Sequence, residues 1–174
     1  MALKIILSGL PRTFPAPILI VQHMAEGFME GFGEWLGQAS GFPVRVASHG
    51  EAPLPGRAYL APHGMHMTVG YGNRLLLNAE PEENGTRPSV SQLFRSISER
   101  CPADAIGVLL TGMGKDGAAE LRSMREGGAA TIAQDKASSV VHGMPGEAIR
   151  LEAADHVLAL EDIAAKLERM VLPR

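Results

Sequence analysis

Two residue types that cooperate in acyl transfer stand just past two apolar runs of this sequence. Residues 18–21 are a short β-branched run ending in Gln22-His23-Met24. Residues 105–110 form an apolar run without polar alternation, the pattern of a strand covered on both faces. Thr111-Gly112-Met113-Gly114-Lys115-Asp116-Gly117 then packs three glycines around one acid, and residues 118–124 continue at helical spacing. An open α/β sheet puts its chemistry in the crevice outside the carboxyl ends of its strands. His23 and Asp116 are both expected on that edge. A carboxylate that orients an imidazole, and an imidazole that takes a proton from a hydroxyl, are two members of a nucleophilic triad. The third would be a serine on another such edge.

Other chemistries compete for the same residues. Gly112, Gly114, Gly117 and Ala118 spell G-x-G-x-x-G-A between a strand and a helix, and Asp135 follows at the distance of a ribose-binding acid. A dinucleotide would then meet the Asp116 carboxylate beside its pyrophosphate, where the helix N-terminus should welcome an anion. A tight strand-to-helix turn needing positive φ accounts for the glycines as well. His63 and His66 are close enough in sequence to suggest a metal, but no third ligand lies nearby, so a hydrogen-bonded structural role is favoured. Cys101, before Pro102, has no base paired with it and reads as a helix-terminal or buried thiol. Met24, Met113 and Met144 flank the expected crevice, either as packing or as a bed for a partner helix.

The positioning elements follow from periodicity. Helices are expected over residues 1–10, 28–38, from Pro88 through Ile97, over 118–124, from Met144-Pro145 through Ile149, and over 163–171. The first has no capping residue ahead of it. Strands are expected at 18–21, 44–47, 58–61, 65–69, 75–77, 105–110, 131–133 and 157–160, with a single turn at 138–141. Gly72-Asn73 between apolar runs signals a hairpin, taken as an antiparallel edge on an otherwise parallel, doubly wound α/β sheet. Residues 81–87, PEENGTR, are the most linker-like stretch, though a loop within one domain explains them equally well.

Bulk composition narrows the class. With 174 residues, 45% of them hydrophobic and 20% charged, the chain reads as one globular domain spanning 1–174. A net charge of −3 with scattered basic residues gives no nucleic-acid surface. One cysteine excludes a disulfide framework and points to a reducing cytoplasm. No apolar run approaches the ~20 residues of a membrane span. Lys4 and Pro11 interrupt any signal-peptide core.

Several blocks carry a resemblance. Val21-Gln22-His23-Met24, Ala58-Tyr59-Leu60-Ala61-Pro62, Arg87-Pro88-Ser89-Val90, the TGMGKDGA block from Thr111 to Ala118, and Ala133-Gln134-Asp135 with the SSVVHGMP block ending at Pro145 resemble the chemotaxis protein-glutamate methylesterase family (CheB-type catalytic domain), in that family's order. The resemblance implies a doubly wound, mostly parallel α/β sheet with a β-hairpin. It implies hydrolysis of glutamate methyl esters, and deamidation of glutamines, on the cytoplasmic helices of methyl-accepting chemoreceptors. By motif, His23 resembles the general base, Asp116 the acid orienting it, and the Met113 backbone N–H one oxyanion-hole donor. No metal or organic cofactor is implied, and the family's regulatory receiver domain is a candidate partner.

The departures from the family pattern are also informative. The family's nucleophilic serine lies in a G-x-S-x-G-G turn after a first strand, and Ala2-Leu3-Lys4 aligns just past that turn. The strand, the serine and the second oxyanion donor are therefore unmatched, and a homodimer is one way of covering the missing strand. Ser8, on the helix body, is no substitute. Ser91 replaces the family's aspartate and His142 its aromatic residue. The expectation is a methylesterase domain that is a poor esterase as this polypeptide, the alternatives being a non-catalytic binding relative or, less favoured, a dinucleotide binder.

Overall fold

Apolar runs become parallel strands, and the amphipathic stretches between them become helices. The computed structural model describes residues 1–171. In chain order the elements are α1 (Ala2–Ser8), β1 (Ile18–Ile20), α2 (Met29–Ser40), β2 (Val44–Val46), β3 (Ala58–Leu60), β4 (His66–Val69), β5 (Leu75–Asn78), α3 (Val90–Arg100), β6 (Ile106–Leu109), α4 (Ala118–Glu126), β7 (Ala130–Gln134), α5 (Met144–Arg150), β8 (His156–Leu158) and α6 (Leu160–Val171). None of these helices is long and apolar enough to cross a membrane.

The strands form two three-stranded parallel sheets, ordered β1-β3-β2 and β6-β7-β8. Ala58 pairs with Ile18 on one side and Val44 on the other, while β7 sets Ala130 against Ile106 and Ile132 against His156. Neighbouring residues of a strand face opposite layers. Thus Leu60 and Ile132 join Ile6, Leu7, Met29, Leu36 and Ile163 in one apolar cluster under α1, α2 and α6. Tyr59, Leu109 and Ala133 join Met67, Leu75, Leu93, Leu121 and Met124 in the other, under α3, α4 and α5. Helices on both faces of parallel strands make the expected doubly wound α/β arrangement. β1 and β6 each have one strand neighbour among the described residues, yet Ile18 and Ile20 share a cluster with Ile106, Val108 and Leu110. Ile18, Leu19, Ile106 and Val108 stay only partly buried, in keeping with strands at the edges of their sheets.

The hairpin departs from expectation. β4 and β5 pair antiparallel, His66 opposite Asn78, but form a separate two-stranded sheet rather than an edge of the parallel one. β4 lies against α3 instead, where the Val69 N–H donates to Ser96 Oγ at 2.9 Å. The C-terminal boundary also moves. The apolar run 157–160 divides between β8 and the first turn of α6, because the Leu160 N–H finds Ser138 Oγ at 3.0 Å and Glu161 and Asp162 suit a helix start. The turn expected at 138–141 falls at 136–138, drawn back by the Ser138 N–H donating to Asp135 Oδ1 at 2.9 Å. Residues 9 and 10 lie outside α1, although Leu10 is buried.

Leu36 is fully buried on α2, whereas Val140 is 91% exposed. Leu36→Ala is expected to lower unfolding stability by about 3 kcal/mol, and Val140→Ala to change it by less than roughly 0.5 kcal/mol; urea denaturation of both variants checks the contrast.

Candidate active site

The site begins where β1 and β6 end. The chain past β1 carries His23, and the loop past β6 carries Asp116, with His23 Nε2 2.9 Å from Asp116 Oδ2. The aspartate is 3% exposed and the imidazole side chain 30% exposed. Asp116 precedes α4 in sequence, but its carboxylate turns onto the N-terminus of a different helix, α3. There the Val90 N–H donates to Oδ2 at 2.7 Å and the Ser91 N–H to Oδ1 at 3.1 Å. Ser89, the N-cap of α3, takes the Ser91 N–H on its Oγ and donates the hydroxyl proton to Asp116 Oδ1 at 2.7 Å. A carboxylate at that end of a helix meets unpaired N–H groups and the positive end of the dipole.

A second set of donors comes from residues 81–87. Glu83 and Thr86 exchange two backbone hydrogen bonds of 3.1 Å around Asn84-Gly85, whose φ values of 56° and 74° are those of a two-residue primed turn. This small hairpin brings Asn84 Nδ2 to 3.1 Å and Thr86 Oγ1 to 3.4 Å from Asp116. Arg95 of α3 holds it down by a paired contact to Glu83, and it reaches Glu120 of α4 at 3.2 Å. The guanidinium lowers the Glu83 pKa, so the latch is ionised at both ends. The stretch with linker-like composition is thus part of the site.

Burial pushes the Asp116 pKa up, but the donors from His23, Ser89, Val90 and Ser91 outweigh it and hold the carboxyl well below the usual range. An ionised carboxylate only accepts hydrogen bonds. His23 Nε2 therefore carries a proton, and Nδ1, the lone-pair nitrogen of the neutral ring, has no partner among the described residues.

Two glycines are required by close approach. Gly117 has φ +80°, and a Cβ there would stand 2.4 Å from Val90 Cγ1, between Asp116 and the helix that holds it. A Cβ on Gly143 would meet the Gly112 carbonyl oxygen at 2.7 Å and the Gly114 nitrogen at 2.9 Å. That contact seats residues 139–143 against the loop past β6, which Gly112 N–H to Val141 O at 3.0 Å also ties. Met113, on the tied loop, exposes 80% of its surface, and its backbone N–H has no partner among the described residues.

The remaining candidates fall elsewhere. Ser8 is exposed on the last turn of α1. Ser91 Oγ accepts the Gly117 N–H and donates to Glu120, so a hydroxyl serves where a carboxylate would face two acids. His142 Nδ1 lies 3.3 Å from Ser139 Oγ. Asp135 is engaged by Ser138, and the Gly117 and Ala118 N–H groups at the start of α4 are bonded to Ser91 Oγ and Lys115 O, which takes two donors from the dinucleotide reading. His63 is exposed and His66 buried, and no group of three possible metal ligands occurs among the described residues. Burial raises the Cys101 pKa, which keeps a thiol rather than a thiolate.

Comparison with known proteins shows the family. The family description CheB methylesterase matches residues 1–167. The chain belongs to the CheB methylesterase family. It is 56% identical over 99% of its length to the protein-glutamate methylesterase/protein-glutamine glutaminase of Nitrosospira multiformis, covering 49% of that protein. A protein of the same name from Geobacter metallireducens is 53% identical over 100% of this chain and 50% of its own. The chain thus spans about half the length of the curated relatives it matches. The crystal structure of the Thermotoga maritima CheB methylesterase catalytic domain superposes with a TM-score of 0.94 at 36% identity, over 98% of this chain and 92% of that one.

The depressed carboxyl pKa fixes the sign of an acid effect. A group whose folded pKa lies below its unfolded value of about 3.9 contributes stability above that pH and loses it as pH falls through the folded value. Asp116→Asn is expected to be less stable than wild type at neutral pH and to lose less stability between about pH 5 and pH 2. Urea midpoints across that range measure both.

Proposed function

We propose that this chain supplies the base and acid of a serine hydrolase that cleaves glutamate methyl esters, and glutamine amides, on the cytoplasmic helices of methyl-accepting chemoreceptors. The contact of 2.9 Å between His23 Nε2 and Asp116 Oδ2 is the observation that carries this reading. The names of the relatives support the substrate class. In this reading a serine hydroxyl attacks the ester carbonyl while His23 Nδ1 removes its proton. Asp116 then faces the new imidazolium through the Nε2 hydrogen bond and stabilises its charge. The unengaged Met113 N–H receives the developing oxyanion, a donor worth most in a site with little water. His23 returns the proton to the departing methanol, and the same nitrogen activates the water that frees the carboxylate. The family's receiver domain and a cytoplasmic setting belong to the same reading.

The attacking serine is the member of this reading that no described residue provides, since Asp116 is the one partner of the His23 ring among them. The polypeptide of 174 residues is therefore expected to release methanol from methyl-esterified receptor near the background rate. A longer form carrying a G-x-S-x-G-G turn ahead of residue 1 is expected to turn over, and His23→Ala in that form to lose about a million-fold in kcat. Triad-like turnover by the present chain, or a longer form indifferent to His23→Ala, would sink the proposal.

A further inference from the structure

His66 touches neither His23 nor any oxygen of Asp116, yet it joins the two structures that hold Asp116. It opens β4 with its side chain fully buried. Its Nδ1 lies 3.2 Å from the Ser89 backbone nitrogen and its Nε2 3.1 Å from the Pro81 carbonyl oxygen. A backbone N–H can only donate and a carbonyl oxygen can only accept. Nδ1 is therefore the lone-pair nitrogen and Nε2 carries the proton, so the ring is neutral and confined to one tautomer.

Both partners lead directly to the carboxylate. Ser89 is the N-cap of α3, and its Oγ and the next two N–H groups donate to Asp116. Pro81 begins the stretch whose hairpin sets Asn84 and Thr86 on the same group. In a capping box the N-cap N–H is satisfied by the side chain three residues on. That residue here is Gln92, and an imidazole from another strand takes its place. One ring thus joins the helix half and the hairpin half of the cradle, as the Glu83–Arg95 latch also does.

We infer that His66 is a positioning residue that sets Asp116, and through it the orientation of the His23 imidazole. The inference rests on reading His23 and Asp116 as the catalytic pair, but its test needs no turnover. Nitrogen-15 NMR of the whole chain reads the ring tautomers and the exchange of the His23 Nε2 proton with water. His66 is expected to be protonated on Nε2, with a coupling across the hydrogen bond from the Ser89 amide to Nδ1. His66→Leu, which offers neither acceptor nor donor, is expected to speed exchange of the His23 proton at least about tenfold, the scale of a buried N–H left without its acceptor. His66→Asn, whose Oδ1 can still accept from Ser89, is expected to restore most of the protection. Met67→Ala, a cavity beside His66 in the same strand, is expected to lower stability without moving the His23 signal.

A proton on His66 Nδ1, an unchanged His23 proton in His66→Leu, or an equal change in Met67→Ala would each overturn the role. Should His66→Leu fail to fold, the tautomer and His66→Ala decide: a proton on His66 Nε2 with faster His23 exchange in His66→Ala supports the role, and unchanged exchange in a folded His66→Ala overturns it. Failure of the methanol assay with the His23 signal still following His66 would remove the hydrolase reading alone.

Discussion

A carboxylate that is 3% exposed must be neutralised by dipoles or by charge, and that requirement on Asp116 organises this end of the molecule. Burial of an ion without partners costs several kcal/mol by continuum reasoning, so the fold surrounds both oxygens with donors. Oδ1 receives Asn84, Ser89 and the Ser91 N–H; Oδ2 receives His23, the Val90 N–H and Thr86 at longer range. These come from three separated stretches of chain. The same carboxylate therefore crosslinks the loop past β6, the start of α3 and the hairpin at 83–86. Gly117 is part of that constraint, since any side chain there would push Val90 and its N–H away from Asp116.

The second dependence is between the two parallel sheets. His23 follows β1 and Asp116 follows β6, so their hydrogen bond spans the ends of two strands that do not pair with each other. Between those strands lies shared apolar packing, with Ile18 and Ile20 in the same cluster as Ile106, Val108 and Leu110. Such packing is non-directional and sets spacing loosely compared with a strand ladder. The polar contact at the edge supplies the direction that the apolar cluster lacks. Fold and site are mutually supporting here, which is why partly buried strands sit beside a tightly bonded carboxylate.

The sequence makes one half of this legible. Strands covered on both faces appear as short apolar runs, and the residues just past them identified His23 and Asp116 as neighbours on one edge. Ser89, Asn84 and Thr86 are not identifiable as partners of the acid because nothing periodic connects residues 27 to 32 positions apart. A local sign did exist for each. Pro88-Ser89 is a helix start with a capping hydroxyl, and Asn84-Gly85 is a two-residue turn. The turn was hidden because its flanks, Glu83 and Thr86, are polar rather than the apolar runs that usually mark a hairpin. The β4–β5 pair shows the opposite failure: its turn was readable, but which surface receives a hairpin depends on α3, far along the chain.

The donor count around Asp116 also bears on how the pair works in the proposed reaction. A carboxylate whose pKa is held far below neutrality does not compete for the proton on His23 Nε2. The proton stays on the imidazole, the ring keeps one tautomer, and Nδ1 remains the nitrogen able to accept a proton. Sharing its oxygens with α3 and the hairpin leaves Asp116 one contact to His23, so its direct effect on that ring is orientation and stabilisation of positive charge rather than proton relay. Behind it, His66 is confined to its own tautomer by a fixed donor and a fixed acceptor. One imidazole meets the ionised acid directly and the other meets the groups that hold it, each with its proton assigned by its partners. Reorganisation of that frame during proton transfer would add to the barrier, and a frame already in place avoids it.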